Sequence, residues 1–103
     1  MLKTFKYILE ANEFLRLPKK MHRVVFYSEG KNYWPLFKGL IDGILNQSEL
    51  NVSYISSGKD DPCFEYDSDR FKSFLIDDNY VRNWLFENIN VDLLIMTMPD
   101  LNN

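Results

Sequence analysis

A short polar turn holds the residues best suited to bind a ligand. Ser28, Glu29 and Gly30 directly follow the apolar run 24–27. The hydroxyl of Ser28 and the carboxylate of Glu29 can form hydrogen bonds with a ligand that carries hydroxyl or phosphate groups. Glu29 would repel an anion, so a hydroxyl group is its more plausible partner. Gly30 is more typical of a turn than of a ligand contact.

Four further residues are candidates for the same site. Tyr33 and Trp34 follow the turn and either form an aromatic platform for a ligand or belong to the core, which is the commoner fate of aromatic residues at a helix start. Thr97 and Asp100 follow a second apolar run, 93–96, and are placed to face a ligand. Asp100 equally suits the cap of a following helix.

Other familiar ligand-binding patterns do not match. The sequence has no GxGxxG motif and no phosphate-binding P-loop. The loop 57–69 is acidic, but it lacks the glycine and terminal glutamate of a calcium loop, which favours a solvated loop over a metal site. Its acidic residues are Asp60, Asp61, Glu65, Asp67 and Asp69. We expect neither a metal nor a cofactor.

The order of apolar segments predicts an α/β fold. Four strand-like runs alternate with helical patterns, and connections of this length favour a Rossmann-like parallel sheet with helices on both faces. The predicted strand order, 3-2-1-4, would put the first and fourth strands side by side at the sheet centre. The turns 28–33 and 97–103 would then meet at the switch point, where such sheets bind ligands. The predicted strands lie around 24–27, 52–55, 71–76 and 93–96.

Apolar side chains at three- and four-residue spacing predict three helices. The first spans about 2–17 and ends at Pro18, the second begins near Pro35, and the third follows a cap at Asp77 or Asp78. The apolar sides are Leu2, Phe5, Ile8, Leu9, Phe14, Leu15 and Leu17 in the first helix, Phe37, Leu40, Ile41, Ile44 and Leu45 in the second, and Tyr80, Val81, Trp84, Leu85 and Ile89 in the third.

Two glycines in the second predicted helix indicate close packing. Gly39 and Gly43 are four residues apart, on one side of the helix. Each costs about 1 kcal/mol relative to alanine in a helix interior. A close approach of the helix backbone to the sheet would offset that cost, so we expect these glycines to face the sheet.

Length and composition indicate one folded domain in a reducing compartment. The chain has 103 residues, of which 46% are apolar, and a single cysteine, Cys63, which rules out an intrachain disulfide. Lys3, Lys6 and Glu10 interrupt the first residues, unlike the core of a secretion signal. We expect a cytoplasmic location, with an N-terminal amphipathic helix at 1–20 and a partial Rossmann-like domain at 21–103.

The charge is divided unevenly along the chain. Residues 1–23 carry six basic and two acidic side chains, a net charge of +4, whereas the remainder carries −7. The basic end could meet an anionic membrane surface, since each basic residue near acidic lipids contributes roughly 1 kcal/mol. A solvated helix face is the simpler explanation. The acidic remainder argues against a nucleic-acid partner, because such binding depends on phosphate neutralisation.

The whole pattern resembles a known family. The strings FYSEGKNYWPLFKGLIDGIL, NVSYISS and VRNWLFENINVDLLIMTMPDLNN are similar to the amino-terminal part of CDP-glycerol glycerophosphotransferases, bacterial enzymes of teichoic acid and related surface-polymer synthesis. The resemblance covers about 5–103 and is strongest over 23–34 and 92–103. It implies the truncated amino-terminal half of a GT-B-type transferase, which moves glycerol phosphate from CDP-glycerol to a membrane-linked polymer.

The resemblance also implies what this chain does not supply. In the family, the donor nucleotide is bound by the carboxyl-terminal half, and histidine motifs follow the point at which this sequence stops. The only histidine here, His22, precedes the first strand and is expected on the surface. We therefore expect no catalytic residue and an inactive chain, partnered by the missing half or by itself through exposed residues 93–98. The open alternatives are a stand-alone small-ligand domain and a dimerising interaction module.

Overall fold

The computed structural model describes residues 2–97, which form a four-stranded parallel sheet covered on both faces. The strand order is β3-β2-β1-β4, as predicted. Three short 3₁₀ turns, Lys19–His22, Lys31–Tyr33 and Pro62–Glu65, lie between the main elements. The helices and strands are α1 (Leu2–Arg16), β1 (Val24–Ser28), α2 (Trp34–Gln47), β2 (Val52–Ser56), β3 (Phe71–Leu75), α3 (Asn79–Glu87) and β4 (Leu93–Met96).

The sheet has a buried interior and one exposed edge. Every residue of β1 and β2 is buried, which explains the continuous apolar run 24–27 in β1. β4 lies beside β1, but it forms an edge of the sheet rather than its centre, so that part of the prediction was wrong. Leu93 and Met96 consequently remain 50% and 39% exposed.

α2 covers one face of the sheet with an aromatic cluster. Phe26 of β1 stacks on Tyr54 of β2, with ring centroids 6.0 Å apart, and Phe37 of α2 packs edge-on against Phe26 at 5.2 Å. Trp34 and Phe71 close the same cluster. Aromatic pairs in these orientations add to the free energy of burial, so they contribute to the stability of this half of the core.

α1 and α3 together cover the other face. Phe14 of α1 packs edge-on against Phe74 of β3, and Val81 and Leu85 of α3 join the same cluster as Tyr27 of β1. The first helix therefore packs on the chain's own sheet. Its buried side is Ala11 and Phe14, and Tyr7 and Leu15 are partly buried beside them.

Several apolar helix residues lie outside the core, contrary to the predicted faces. Phe5 is 59% exposed and Tyr80 is 86% exposed, while Leu9, Leu40 and Trp84 are also exposed. Only one side of each helix meets the sheet, so apolar residues on the flanks stay on the surface. The apolar spacing identified the helices but not the side that each one buries.

The glycine pair of α2 does not approach the sheet. A Cβ added at Gly39 or Gly43 would meet no atom within 4 Å, and Gly39 is exposed. The predicted close packing was therefore wrong. Both positions lie on the side of α2 that faces away from the aromatic cluster.

Polar side chains hold both a helix start and a helix end. Asp78 caps α3 by accepting hydrogen bonds from the N–H groups of Tyr80 and Val81, both at 3.0 Å, and these bonds, chiefly that of Val81, lower the pKa of Asp78. At the end of α2, the Arg70 guanidinium donates to the carbonyl oxygens of Leu45, Ser48 and Leu50. A cation at this end of a helix interacts favourably with its dipole.

One buried hydroxyl stands out among residues 2–97. Tyr54 is fully buried, yet its hydroxyl has no hydrogen-bond partner there. Burial raises the pKa of this phenol, and the nearby Ser28 hydroxyl lowers it by less. An unsatisfied buried polar group costs about 1–3 kcal/mol, so Tyr54 contributes through its ring and not through its oxygen.

We predict that Tyr54→Phe raises the free energy of unfolding by about 1 kcal/mol, because it removes the unpaired hydroxyl and keeps the ring. Urea denaturation followed by circular dichroism measures the change. The matched control is Tyr27→Phe, whose hydroxyl is hydrogen-bonded and whose loss should destabilise the fold by about 1 kcal/mol. Equal destabilisation by the two variants would contradict the prediction.

Candidate functional site

The turns after β1 and β2 are built on the same short motif. Ser28 Oγ donates to the carbonyl oxygen of Gly30 at 2.7 Å and accepts from its N–H at 3.2 Å. Ser56 Oγ likewise accepts from the Gly58 N–H at 3.1 Å, but its single proton is donated to Asp61 Oδ2 at 2.7 Å and not to the Gly58 carbonyl oxygen, which is 3.3 Å away. Both serines are fully buried. The hydroxyl of Ser28 is thus engaged in holding its own turn.

The two turns lie against each other at the carboxyl edge of the sheet. A Cβ added at Gly58 would come within 3.0 Å of the Gly30 Cα, whereas one added at Gly30 would meet nothing within 4 Å. Lys31 and Asp60 form an exposed ion pair at 3.3 Å across the same turns. The glycine that the packing requires is therefore Gly58, which the sequence did not single out.

The two aromatic candidates, Tyr33 and Trp34, lie in different environments in the structure. Trp34 is 8% exposed and packs edge-on against Tyr54 and Tyr66, which is the core alternative that the sequence left open. Tyr33 is exposed beside Phe37. Asp100 lies outside the described residues. Of the aromatic pair, Tyr33 is the more exposed, at 43%.

Glu29 and Thr97 do come together. The N–H of Glu29 donates to Thr97 Oγ1 at 3.3 Å, which joins the turn after β1 to the end of β4. Beside this contact is a cavity of about 140 Å³. Its lining residues are Tyr27, Glu29, Arg82, Asn83, Phe86, Met96 and Thr97. The cavity lies at the switch point of the sheet, where β1 has neighbours on both sides.

Arg82 is held in this cavity by a directed chain of hydrogen bonds. Its guanidinium donates to the Tyr27 hydroxyl at 2.9 Å and lies 5.4 Å from the centre of the Tyr27 ring. The Tyr27 and Ser57 hydroxyl oxygens are 2.7 Å apart, and Ser57 donates to the carbonyl oxygen of Ile76 at 3.0 Å. Since Ser57 donates onward, Tyr27 donates to Ser57 and accepts from Arg82.

Comparison with known proteins adds no relative. No family model matches the chain, and searches of curated proteins and of solved structures found no significant match. The site is therefore interpreted from its own geometry.

The cavity combines a cation and a carboxylate. Arg82 can bind a phosphate or carboxylate through two parallel N–H donors, while Glu29 can accept hydrogen bonds from hydroxyl groups. The apolar side chains of Phe86 and Met96 complete the wall. A small molecule with one anionic group and one or more hydroxyl groups suits both side chains, because the anion can bind Arg82 and the hydroxyl groups can donate to Glu29.

Sequence reasoning missed Arg82 for a physical reason. The residue is far from the turns along the chain and sits on α3, where a lone arginine between apolar positions looks like an ordinary solvated side chain. Only the packing of α3 over β1 brings it to Tyr27. No local pattern carries that information.

One residue of the acidic loop, Asp61, and the single histidine are held by local hydrogen bonds. Asp61 is buried, contrary to a fully solvated loop, and accepts hydrogen bonds from Ser56 Oγ at 2.7 Å and the Cys63 N–H at 3.0 Å. His22 is half-buried rather than fully on the surface, and Nε2 lies 2.7 Å from the carbonyl oxygen of Phe14. Within residues 2–97, no group of three or more potential ligands could hold a metal ion.

We predict that Gly58→Ala lowers the free energy of unfolding by about 1–3 kcal/mol, because the added methyl group meets the backbone of the facing turn. Chemical denaturation measures the loss. The control is Gly30→Ala in the facing turn. A Cβ at Gly30 meets no atom within 4 Å, so this variant should change the free energy of unfolding by less than about 1 kcal/mol. A larger loss at Gly30 than at Gly58 would show that the packing of the two turns has been misjudged.

Proposed function

We propose that this chain forms the acceptor side of a CDP-glycerol-dependent glycerophosphotransferase of surface-polymer synthesis. The observation that carries the proposal is that Arg82 and Glu29 both line one small cavity at the carboxyl edge of a parallel sheet. The family resemblance of the sequence supports the same assignment. Glycerol phosphate units have the combination of anion and hydroxyl that this cavity suits.

The size of the cavity favours an acceptor over a nucleotide. At about 140 Å³ it is smaller than the roughly 300 Å³ at which pockets begin to enclose drug-sized ligands. A terminal glycerol phosphate unit has fewer than half the atoms of CDP-glycerol. We therefore assign the polymer end to this cavity and the donor nucleotide to a second domain across a cleft.

Arg82 and Glu29 would position the acceptor without performing the chemistry. Arg82 would hold a phosphate of the polymer, and Glu29 would orient the hydroxyl that attacks the donor. Transfer also needs a base and groups that stabilise charge on the phosphoryl group. In this proposal the second domain contributes them, so the chain binds acceptor and does not turn over alone.

An alternative is a stand-alone domain that binds a small hydroxylated anion without transferring a group. The same cavity supports this alternative. The two differ in polymer dependence, because an acceptor site should prefer a chain of glycerol phosphate units over a single unit, whereas a site for a free metabolite should not.

One surface supports a peripheral membrane location. Phe5 and Leu9 are exposed on α1, and Arg16 follows on the same side of the helix, with Lys6 beside Leu9. Exposed apolar side chains flanked by cations are typical of helices that lie at an anionic membrane interface. No helix among residues 2–97 is long and apolar enough to cross a bilayer.

We predict that the chain binds sn-glycerol 3-phosphate in isothermal titration calorimetry, and that Arg82→Gln weakens this binding about tenfold or more, because a charged hydrogen bond is lost. The control is Lys72→Gln, an exposed cation on β3 that should leave binding unchanged. CDP-glycerol should bind negligibly.

Further variants separate the parts of the proposal. Glu29→Gln should weaken the binding of glycerol 3-phosphate more than that of inorganic sulfate, since only the former carries hydroxyl groups. Unchanged binding by Arg82→Gln would exclude the cavity as the site. Tight binding of CDP-glycerol by this chain would overturn the assignment of the nucleotide to a second domain.

We predict that the chain co-sediments with phosphatidylglycerol vesicles and not with phosphatidylcholine vesicles. Lys6→Gln and Arg16→Gln should each lower the partition coefficient about fivefold, since each cation contributes roughly 1 kcal/mol. Lys59→Gln, an exposed cation in the loop after β2, is the matched control and should have no effect. Equal binding to both vesicle types would exclude an electrostatic membrane contact.

A further inference from the structure

The two edge strands of the sheet, β3 and β4, differ in how their outward backbone groups are protected. The N–H of Ile76 donates to the carbonyl oxygen of Ser56 on β2, so the N–H groups of Phe71, Ser73 and Leu75 point away from the sheet. Two of these three are satisfied locally, since Leu75 donates to Glu10 at 3.3 Å and Phe71 to the carbonyl oxygen of Ser68 at 3.2 Å. An exposed charge, Lys72, adds the protection typical of edge strands.

β4 has neither form of protection. All four of its residues are apolar, and within the described part of the chain its neighbour in the sheet is β1. The N–H groups of Leu93 and Thr97 donate to the carbonyl oxygens of Arg23, directly before β1, and of Tyr27 in β1, at 2.8 and 3.1 Å. Backbone groups alternate in direction along a strand, so Leu94 and Met96 present their N–H and C=O groups at the open edge.

We propose that β4 pairs antiparallel with β4 of a second copy of this chain, around a two-fold axis at Ile95. In that register, Leu94 faces Met96 of the other copy and each pair exchanges two backbone hydrogen bonds. The Ile95 residues face each other without such bonds.

The side chains and charges also fit a second copy. Leu94 packs on the α1 and α3 side of the sheet and Met96 lines the cavity on that side, so the two facing pairs bring apolar groups together on one face. Ile95 packs on the α2 side and meets its own copy there. Asp92, which precedes β4, is paired with Arg23 at 2.9 Å and leaves no uncompensated charge beside the edge.

The interface is small, and this determines the strength of the dimer. A strand of four residues buries less than the area of a standard protein interface, so the dimer should be weak and should dissociate on dilution. Sedimentation velocity of the full chain should show the mass rising from one copy to two with concentration. Met96→Lys places a charge opposite Leu94 of the other copy and should hold the chain as a monomer, with an unchanged circular dichroism spectrum.

A disulfide tests the register. Facing residues of a non-hydrogen-bonded pair have Cα atoms about 4.5 Å apart, which suits a disulfide. Oxidised Ile95→Cys should therefore give a covalent dimer. Leu93→Cys is the matched control, because it is more exposed but lies roughly 14 Å from its own copy in this register. The oxidised wild type controls for Cys63, which is buried.

The outcomes decide the proposal. Efficient cross-linking of Ile95→Cys but not Leu93→Cys supports the two-fold pairing. Equal cross-linking of both variants would indicate random collision and overturn it. A wild-type chain that stays monomeric at high concentration, with no cross-linked Ile95→Cys, would also overturn it and leave the edge to a strand from a different protein.

Discussion

The burial of β1 on both faces is the constraint on which the rest of the structure depends. A strand with no polar face needs apolar cover above and below it, and a single helix cannot supply both. α2 covers one side through the aromatic cluster, while α1 and α3 share the other. The position of α3 then brings Arg82 over Tyr27, so the candidate site is a consequence of how the core is covered.

The same packing orders the carboxyl edge of the sheet. Ser28 and Ser56 use buried hydroxyls to fix their turns, and Gly58 lets those turns touch. The Ser28 hydroxyl, which the sequence offered as a ligand contact, therefore forms its hydrogen bonds within its own turn. What remains open to solvent is the cavity beside β4, where Glu29 and Arg82 supply opposite charges.

The sequence predicted the fold well because the fold depends on local pattern. Continuous apolar runs, turn residues and helical spacing fix the parallel sheet and its order. The candidate site was predicted only in part. Glu29 and Thr97 follow strands and are brought together, but Arg82 comes from a helix whose rotation no local signal determines. The same gap explains Trp84 and Phe5, which have core-like spacing yet lie on the surface.

Met96 links the two open features of the molecule. It lines the cavity through its side chain and presents its backbone at the sheet edge. A strand paired at that edge would hold Met96 and the following Thr97 in place, and so reduce the conformational freedom that a ligand in the cavity must remove. Any such coupling is reciprocal, since a ligand that orders this end of β4 would strengthen pairing by the same free energy. The exposed edge and the cavity thus share the carboxyl end of one strand, β4.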